Sequence, residues 1–373
     1  PSLTLIEDEN KRFSQYEHIN SIYLHRDAPT SPTNVLVNQI KSFLPREITN
    51  EKIKRKLAMI VFGVFLVLVS AKFEINNENH VLVILHVQKT GGTTFNRKLI
   101  SGLEGDFCEL PSDSIQDKRS NWHHSSCKHP GKNSTWLFSR YTLGWPCGVH
   151  PDWTALKDCA RRKLRALDGP SREGRKLFHV TTLRDPIDRF LSEWRHVQRG
   201  ATWNRQHLLC NSRKNSVTPC YSTEKWTGVS LEEFMACPTN LAYNRQTRMI
   251  ADLESIGCYN GFASHDMRVP NKALGRHLLE SAKRNLENVD FFSMLEYQKE
   301  SQQLFEATFR LKFSDDWEYH KTKTERFKNA VELPRDVIDL IKRDNALDIE
   351  FYDFAKELFF KRLSEKRIPL PQE

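Results

Sequence analysis

The sequence predicts an α/β fold in which a central parallel sheet is flanked by helices. Two buried-strand patterns and the helix signals that follow them carry this expectation. His80-Val81-Leu82-Val83-Ile84-Leu85-His86-Val87 and Leu177-Phe178-His179-Val180-Thr181-Thr182-Leu183 are near-continuous apolar runs rich in β-branched residues, the pattern of strands covered on both faces. The first runs into Gly91-Gly92 and a helix start over Thr94–Ile100. The second reaches Pro186, well placed for the first turn of a helix from Ile187 to about Arg199. Helix-spaced apolar residues mark further helices over Leu231–Met235, Leu241–Leu253, Lys272–Asn285, Lys299–Phe309, Pro334–Asn345 and Asp348–Leu363, and Phe291–Leu295 reads as a short strand. Residues 107–148, rich in Cys, Gly, Pro and Trp, read as a disulfide-tied loop region.

Upstream of these elements, residues 57–71 carry no charge. They fall short of the roughly 20 residues that span a typical bilayer, a length suited to a thin early-secretory membrane; a buried core segment and a late signal peptide are the competing readings. Lys52, Lys54, Arg55 and Lys56 precede the run, and Lys72, Glu74 and Glu78 follow it. The excess of cations before it orients a membrane anchor with its N-terminal side in the cytosol. The expected organisation is a cytosolic tail (1–56), one transmembrane signal-anchor helix (57–71), a short stem (72–79) and a lumenal domain (80–373). All eight cysteines, from Cys108 to Cys258, follow the apolar run, as disulfides of an oxidising compartment would. Asn133-Ser134-Thr135 is a glycosylation sequon on the same side. The formal net charge of +9 calls for an acidic partner, whether nucleic acid, anionic lipid or polyanionic glycan. Lumenal placement argues against nucleic acid.

The turn after the first strand reads Gln88-Lys89-Thr90-Gly91-Gly92-Thr93-Thr94. Phosphate binding asks for convergent backbone N–H groups, small residues that allow close approach, and a cation. A helix N-terminus, Gly91 with Gly92, and Lys89 supply these in turn, and Thr93 and Thr94 add hydroxyls. The order differs from the Walker A loop, whose lysine follows its second glycine, so an ATPase or kinase loop is disfavoured. A plain strand–helix turn with a surface lysine remains the bland alternative.

The segment His86–Phe95 resembles the 5′-phosphosulfate loop of the heparan sulfate 6-O-sulfotransferase family. The likeness continues through Trp136–Arg140 and Gly148–Trp153, is strongest from Leu183 to Trp203, and extends through Asn244-Arg245-Gln246 and Gly257–Asn260. The resemblance implies a P-loop-like sulfotransferase fold, Golgi type II membrane topology, and PAPS (3′-phosphoadenosine 5′-phosphosulfate) as donor, with no metal. It implies transfer to the 6-O position of glucosamine in heparan sulfate. Carried over residue by residue, it assigns the donor to His86, Val87, Gln88, Lys89, Thr90, Gly91, Gly92, Thr93, Thr94, Arg184, Ser192, Tyr319, Thr322 and Lys323. Arg184, placed at a strand end, suits bidentate phosphate pairing; without the resemblance, Arg184-Asp185 would read as a local ion pair.

The acceptor hydroxyl needs a general base, and the resemblance places His150 there. An unperturbed imidazole titrates near 6.5, and Pro151 confines His150 to extended backbone. The acceptor, a sulfated and carboxylated polysaccharide, is assigned by resemblance to Arg140, Trp145, His196 and Trp203, with His123 and His124 where relatives carry Lys. Acceptor affinity is then expected to weaken as pH rises past about 6.5. A zinc site around His123-His124 is the competing reading, but no C-x-x-C completes it. Two further readings are a membrane-anchored heparan-binding protein without catalysis and a sulfotransferase of other positional specificity.

Overall fold

The computed structural model describes residues 72–110, 125–144, 147–148, 150–169, 174–203, 208–210, 213–215, 217–222, 225–261, 266–268, 272–317 and 333–371. His80–Leu85, buried throughout, forms β1. Strand β5, Lys176–Leu183, pairs along it in parallel from His80↔Lys176 to Leu85↔Thr181. The short strand β8, Phe291–Met294, continues the sheet beyond β5, and Leu137–Phe138 (β4) closes its other side against β1. The order is β4-β1-β5-β8, with every pairing parallel. Chain order reverses across β1: β4 lies on one side, and β5 and β8 on the other. The crevice beyond the carboxyl ends of strands at such a reversal is where open α/β sheets bind ligands.

Two small antiparallel ribbons lie outside this sheet: β2 (Cys108–Glu109) with β3 (Ser126–Cys127), and β6 (Leu208–Cys210) with β7 (Arg213–Asn215). Among the described residues the α-helices are α1 (Gly92–Ser101), α2 (Arg140–Leu143), α3 (Trp153–Asp168), α4 (Pro186–Gln198), α5 (Leu231–Ala236), α6 (Arg245–Ile250), α7 (Lys272–Asn288), α8 (Gln298–Phe309), α9 (Arg335–Asp344) and α10 (Ala346–Glu365). The expected parallel α/β architecture is present.

The core is aromatic on one side of the sheet. Phe291 packs edge to face on Phe305 and Phe309, which meet each other at a tilt, and Phe95 and Trp317 extend the cluster. Residues 72–79 lie against this core: Phe73 is 2% exposed and meets Phe178 and Phe309 edge-on.

One expected helix is much shorter than its apolar spacing suggested. Leu241–Leu253 is helical only over Arg245–Ile250, because Asn244 takes left-handed backbone at φ 46° and starts the helix anew. The Asn244 Oδ1 accepts from Leu347 N at 3.1 Å, and its Nδ2 donates to Met267 O at 3.2 Å. The first turn of α6 is then capped from α10: Asp348 accepts from Gln246 N at 3.1 Å and from Thr247 N at 2.8 Å. Within the region read as loop, β4 and α2 are ordered elements, α2 being opened by a capping box on Ser139.

All eight cysteines of the sequence are paired, Cys108–Cys127, Cys147–Cys159, Cys210–Cys258 and Cys220–Cys237. The sequon residue Asn133 is exposed. Among the described residues no helix is long and apolar enough to cross a membrane; the expected anchor over residues 57–71 lies outside them.

Candidate active site

A cleft of about 330 Å³ opens at the carboxyl edge of the sheet. Its walls come from the segments that follow β1, β4 and β5 and from α4. After β1, the chain turns at Lys89, whose φ of 67° is unusual for a side-chain-bearing residue, and at Gly91, with φ 89°. The turn is pinned from inside: the Thr90 hydroxyl donates to Val87 O at 3.0 Å and bonds to the Thr182 hydroxyl at 2.6 Å. Gly91 is favoured by its left-handed backbone, and both glycines lie in close approach to neighbouring side chains. A Cβ on Gly91 would sit 2.7 Å from Leu295, and one on Gly92 3.1 Å from the His86 ring. Gly91 caps α1 without a side chain, and α1 has no acidic residue in its first turn. Its N-terminal N–H groups and the positive end of its dipole therefore border the cleft beside Lys89.

Arg184 follows β5 directly and is held by an amide clamp: its N–H donates to Gln246 Oε1 at 3.0 Å, and Gln246 Nε2 donates back to Arg184 O at 2.8 Å. Its guanidinium reaches Lys89 O at 3.4 Å and Asp188 at 3.6 Å. The local Arg184-Asp185 ion pair that the sequence alone suggested gives way to a helix cap, since Asp185 Oδ1 accepts from Ile187 N and Asp188 N at 3.0 and 2.9 Å. Helix α4 then brings Ser192, Glu193 and His196 to the cleft. Glu193, a carboxylate on an otherwise cationic wall, is neutralised from behind by Arg189 and Arg245, each at 2.5 Å. Burial works to raise its pKa, but the two guanidiniums outweigh it and hold the carboxyl below its ordinary range.

His150 faces this wall from the loop that enters α3. Two attachments place that loop. The Cys147–Cys159 bridge ties it to α3, and Asp152 caps α3 by accepting from Ala155 N at 2.9 Å while its other oxygen accepts from the Tyr259 hydroxyl at 2.5 Å. The His150 ring has two neighbours that define its protonation. The His86 carbonyl, 3.3 Å from Nδ1, can only accept, so Nδ1 carries the proton. Arg140 Nη1, 3.1 Å from Nε2, can only donate, so Nε2 is the unprotonated, accepting nitrogen. Burial, followed by His86, Arg140 and Arg245, drives the His150 pKa well below its ordinary value. Burial, Arg140 and Lys89 do the same to His86. Lys89 is also lowered, chiefly by burial, with Glu193 opposing.

Of the residues expected to hold the donor, His86, Gln88, Lys89, Gly91, Gly92, Thr93, Arg184 and Ser192 line the cleft. Thr90, Gly91 and Thr94 border a smaller recess behind the loop, with Lys98, Gln298 and Trp317, whereas Val87 is fully buried in the core. Of the acceptor set, Arg140 and His196 line the cleft. Trp203 is not among its lining residues: it is 7% exposed and packs edge-on against Trp226 at 4.4 Å. His123, His124, Trp145, Tyr319, Thr322 and Lys323 lie outside the described residues. Glu193, Arg245 and Gln246 lie within the stretches of likeness, but the sequence assigns them no role. The four-residue Arg189–Glu193 spacing was the available signal for the first; the clamp by Gln246 has none. Among the described residues no group of three or more His, Cys, Asp or Glu is placed to hold a metal ion.

The cleft thus gathers an uncapped helix N-terminus, an ammonium and a guanidinium on one wall and a neutral imidazole on another, an arrangement suited to transfer of an anionic group. The sequence model of the sulfotransferase family matches residues 74–355, and the chain belongs to that family. Among its relatives, heparan-sulfate 6-O-sulfotransferase 1-B of Danio rerio is 44% identical over 300 residues, covering 79% of this chain and 70% of that protein. Heparan-sulfate 6-O-sulfotransferase 1 of Homo sapiens is 43% identical over 304 residues, 80% of this chain and 70% of the relative. Heparan-sulfate 6-O-sulfotransferase 2 of Gallus gallus is 41% identical over 303 residues, with 79% and 70% covered.

Proposed function

We propose that this protein transfers a sulfuryl group from PAPS to the 6-hydroxyl of glucosamine units in heparan sulfate. The observation that carries the reading is the opposition across one cleft of the Lys89–Arg184 wall and the Nε2 atom of His150. The cleft also fits an anionic nucleotide on its own terms. Among the described residues Arg184 Nε is a buried donor without a hydrogen-bond partner, as a site for an anion would leave it, and the unpartnered Gln88 Oε1 and His86 Nδ1 call for a donor group of a ligand or water.

The donor supplies a sulfuryl group esterified to a phosphate, which departs with the electrons of the broken S–O bond. On this side Lys89, Thr93 and the N–H groups at the start of α1 hold the phosphosulfate and neutralise the charge that grows on the leaving oxygen. Arg184 and Ser192 fit the 3′-phosphate, where a guanidinium and a hydroxyl supply convergent donors. On the other side His150 receives the proton of the attacking hydroxyl at Nε2, and its Nδ1–H bond to the His86 carbonyl keeps Nε2 unprotonated. His196 and Arg140 meet the anionic acceptor.

The same reading includes a lumenal Golgi location, with residues 57–71 as a single type II anchor. The four disulfides and the exposed Asn133 support it. Sensitivity of the mature protein to an N-glycan-removing enzyme, lost in Asn133→Gln, is the expected result; a protein that never acquires a glycan contradicts the topology.

The experiment that tests the function is disaccharide analysis of heparan sulfate incubated with PAPS and purified protein. New 6-O-sulfate is expected with the wild type and none above background with His150→Ala. New sulfate at the 2-O or 3-O position would overturn the positional assignment, and undiminished transfer by His150→Ala would remove the base.

A further inference from the structure

A base whose lone pair accepts a hydrogen bond must give up that bond before it can take a proton. That is the state of His150. The His86 carbonyl fixes the proton on Nδ1, and Arg140 Nη1 donates into Nε2 at 3.1 Å. An imidazolium in this place would set N–H against N–H beside a second cation, so the geometry admits only the neutral ring. Arg140 is itself anchored elsewhere: its Nη2 donates to the Tyr141 hydroxyl at 2.6 Å, and its guanidinium lies 4.7 Å from the Tyr141 ring centroid. Tyr141 in turn bonds to Thr93 Oγ1, 2.9 Å away at the start of α1. Ser139 caps α2 and so sets Arg140 at its first position, on the cleft wall.

We propose that Arg140 is a latch on His150, releasing the Nε2 lone pair only when an anionic group of the acceptor takes up its guanidinium. The proposal rests on the reading of His150 as the base. A carboxylate or sulfate offers a guanidinium two charge-assisted bonds, which a neutral imidazole nitrogen cannot match, so an arriving polyanion draws Arg140 from the ring. Nε2 is then bare beside the acceptor hydroxyl. The hydroxyl proton passes to Nε2, the oxygen–sulfur bond forms, the bond from sulfur to the phosphate oxygen breaks, and PAP leaves with that electron pair. The resulting imidazolium repels Arg140, so His150 must lose its proton before the latch closes again. With the donor's own anionic groups held by Lys89, Arg184 and the start of α1, water brings no further anion to open the latch, so the donor is protected from hydrolysis while the enzyme waits for acceptor. After burial, the His86 ring, Arg140 and Arg245 disfavour protonation of His150, and the His86 carbonyl bond favours it; withdrawal of Arg140 removes one of the opposing charges and raises the basicity of the ring as it is freed.

The test is acceptor-free release of PAP from PAPS. Arg140→Met removes the donor while keeping the length of the side chain. It is expected to hydrolyse PAPS about tenfold faster than the wild type or more, a part of the full general-base contribution of about 10²–10⁴. The double variant Arg140→Met/His150→Ala is expected to fall back to background. The His150 ring, followed by NMR, should titrate at higher pH in Arg140→Met. If that variant proves unstable, Tyr141→Phe loosens the same guanidinium and should raise hydrolysis by a smaller factor. Carboxyl-reduced and N-desulfated heparan oligosaccharides identify the triggering anion: one of the two should cost the wild type its transfer while sparing Arg140→Met. Hydrolysis and His150 titration unchanged in a variant that still binds PAP would overturn the latch and leave the base in place, whereas full transfer by His150→Ala would overturn the base itself.

Discussion

The wall of the cleft that carries Lys89 and Arg184 hangs directly from the ends of two neighbouring central strands. The wall that carries His150 hangs from a loop held by a disulfide, a helix cap and a tyrosine. On the first, position follows from the sheet: β1 and β5 are paired along six residues of register, and the residues just beyond them have little freedom. On the second, position is assembled from contacts far apart in sequence, Asp152 to Tyr259 and Cys147 to Cys159. The difference teaches that anion binding is built into the fold, while placement of the base is added to it and can be removed separately.

The comparison breaks most sharply at Lys89. Replacing it with Met leaves the sheet intact but removes the cation beside the α1 N-terminus. The expected loss is about 10²–10³ in kcat/KM for PAPS, the scale of one preorganised charge-stabilising donor, read from initial rates with the melting temperature unchanged. A smaller, different effect is expected on the opposite wall. Cys147→Ser/Cys159→Ser opens the tie between the His150 loop and α3. By closure entropy it costs about 3 kcal/mol of stability, measured by denaturant unfolding. Transfer should fall more than PAP affinity, because only the base is released.

The smallest effect sharpens the account of the same loop. Burial pushes the Asp152 carboxyl up to about 6, from an ordinary 3.8. The folded state therefore binds this proton more tightly than the unfolded chain does. Asp152 favours folding at low pH, and that contribution is lost as pH rises from about 4 through 6. Asp152→Asn keeps an acceptor for Ala155 N without a buried charge. Its stability should vary less than that of the wild type between pH 4 and pH 7, as followed by thermal melts at a series of pH values.

The same contrast explains what could be read in the sequence. The β1 strand and the glycines after it are legible because a doubly covered strand leaves a continuous apolar signature, and a phosphate loop needs small residues where a Cβ would collide. Helix α4 follows from Pro186, whereas its residues Ser192 and His196 come from the resemblance, and Asp185, the cap, reads in the sequence as an ion-pair partner of Arg184. His150 could be found only by resemblance, since one histidine before a proline carries no periodic signal. The Asn244 break was illegible because the apolar spacing runs through it, and its left-handed backbone is secured by α10, about a hundred residues later. Glu193 was hidden for a related reason: whether a carboxylate in a helix is solvated or buried between two arginines depends on where α6 lands. Trp203 sits within the strongest stretch of likeness, yet it packs on Trp226, a contact that spacing along α4 does not foretell.

The most direct test of a cleft with two separable walls is calorimetric titration of PAP into the wild type, Lys89→Met and His150→Ala. The account predicts that His150→Ala binds PAP as the wild type does, while Lys89→Met binds roughly tenfold more weakly or worse, a loss of about 1.4 kcal/mol. Loss of PAP affinity in His150→Ala equal to that in Lys89→Met would contradict it.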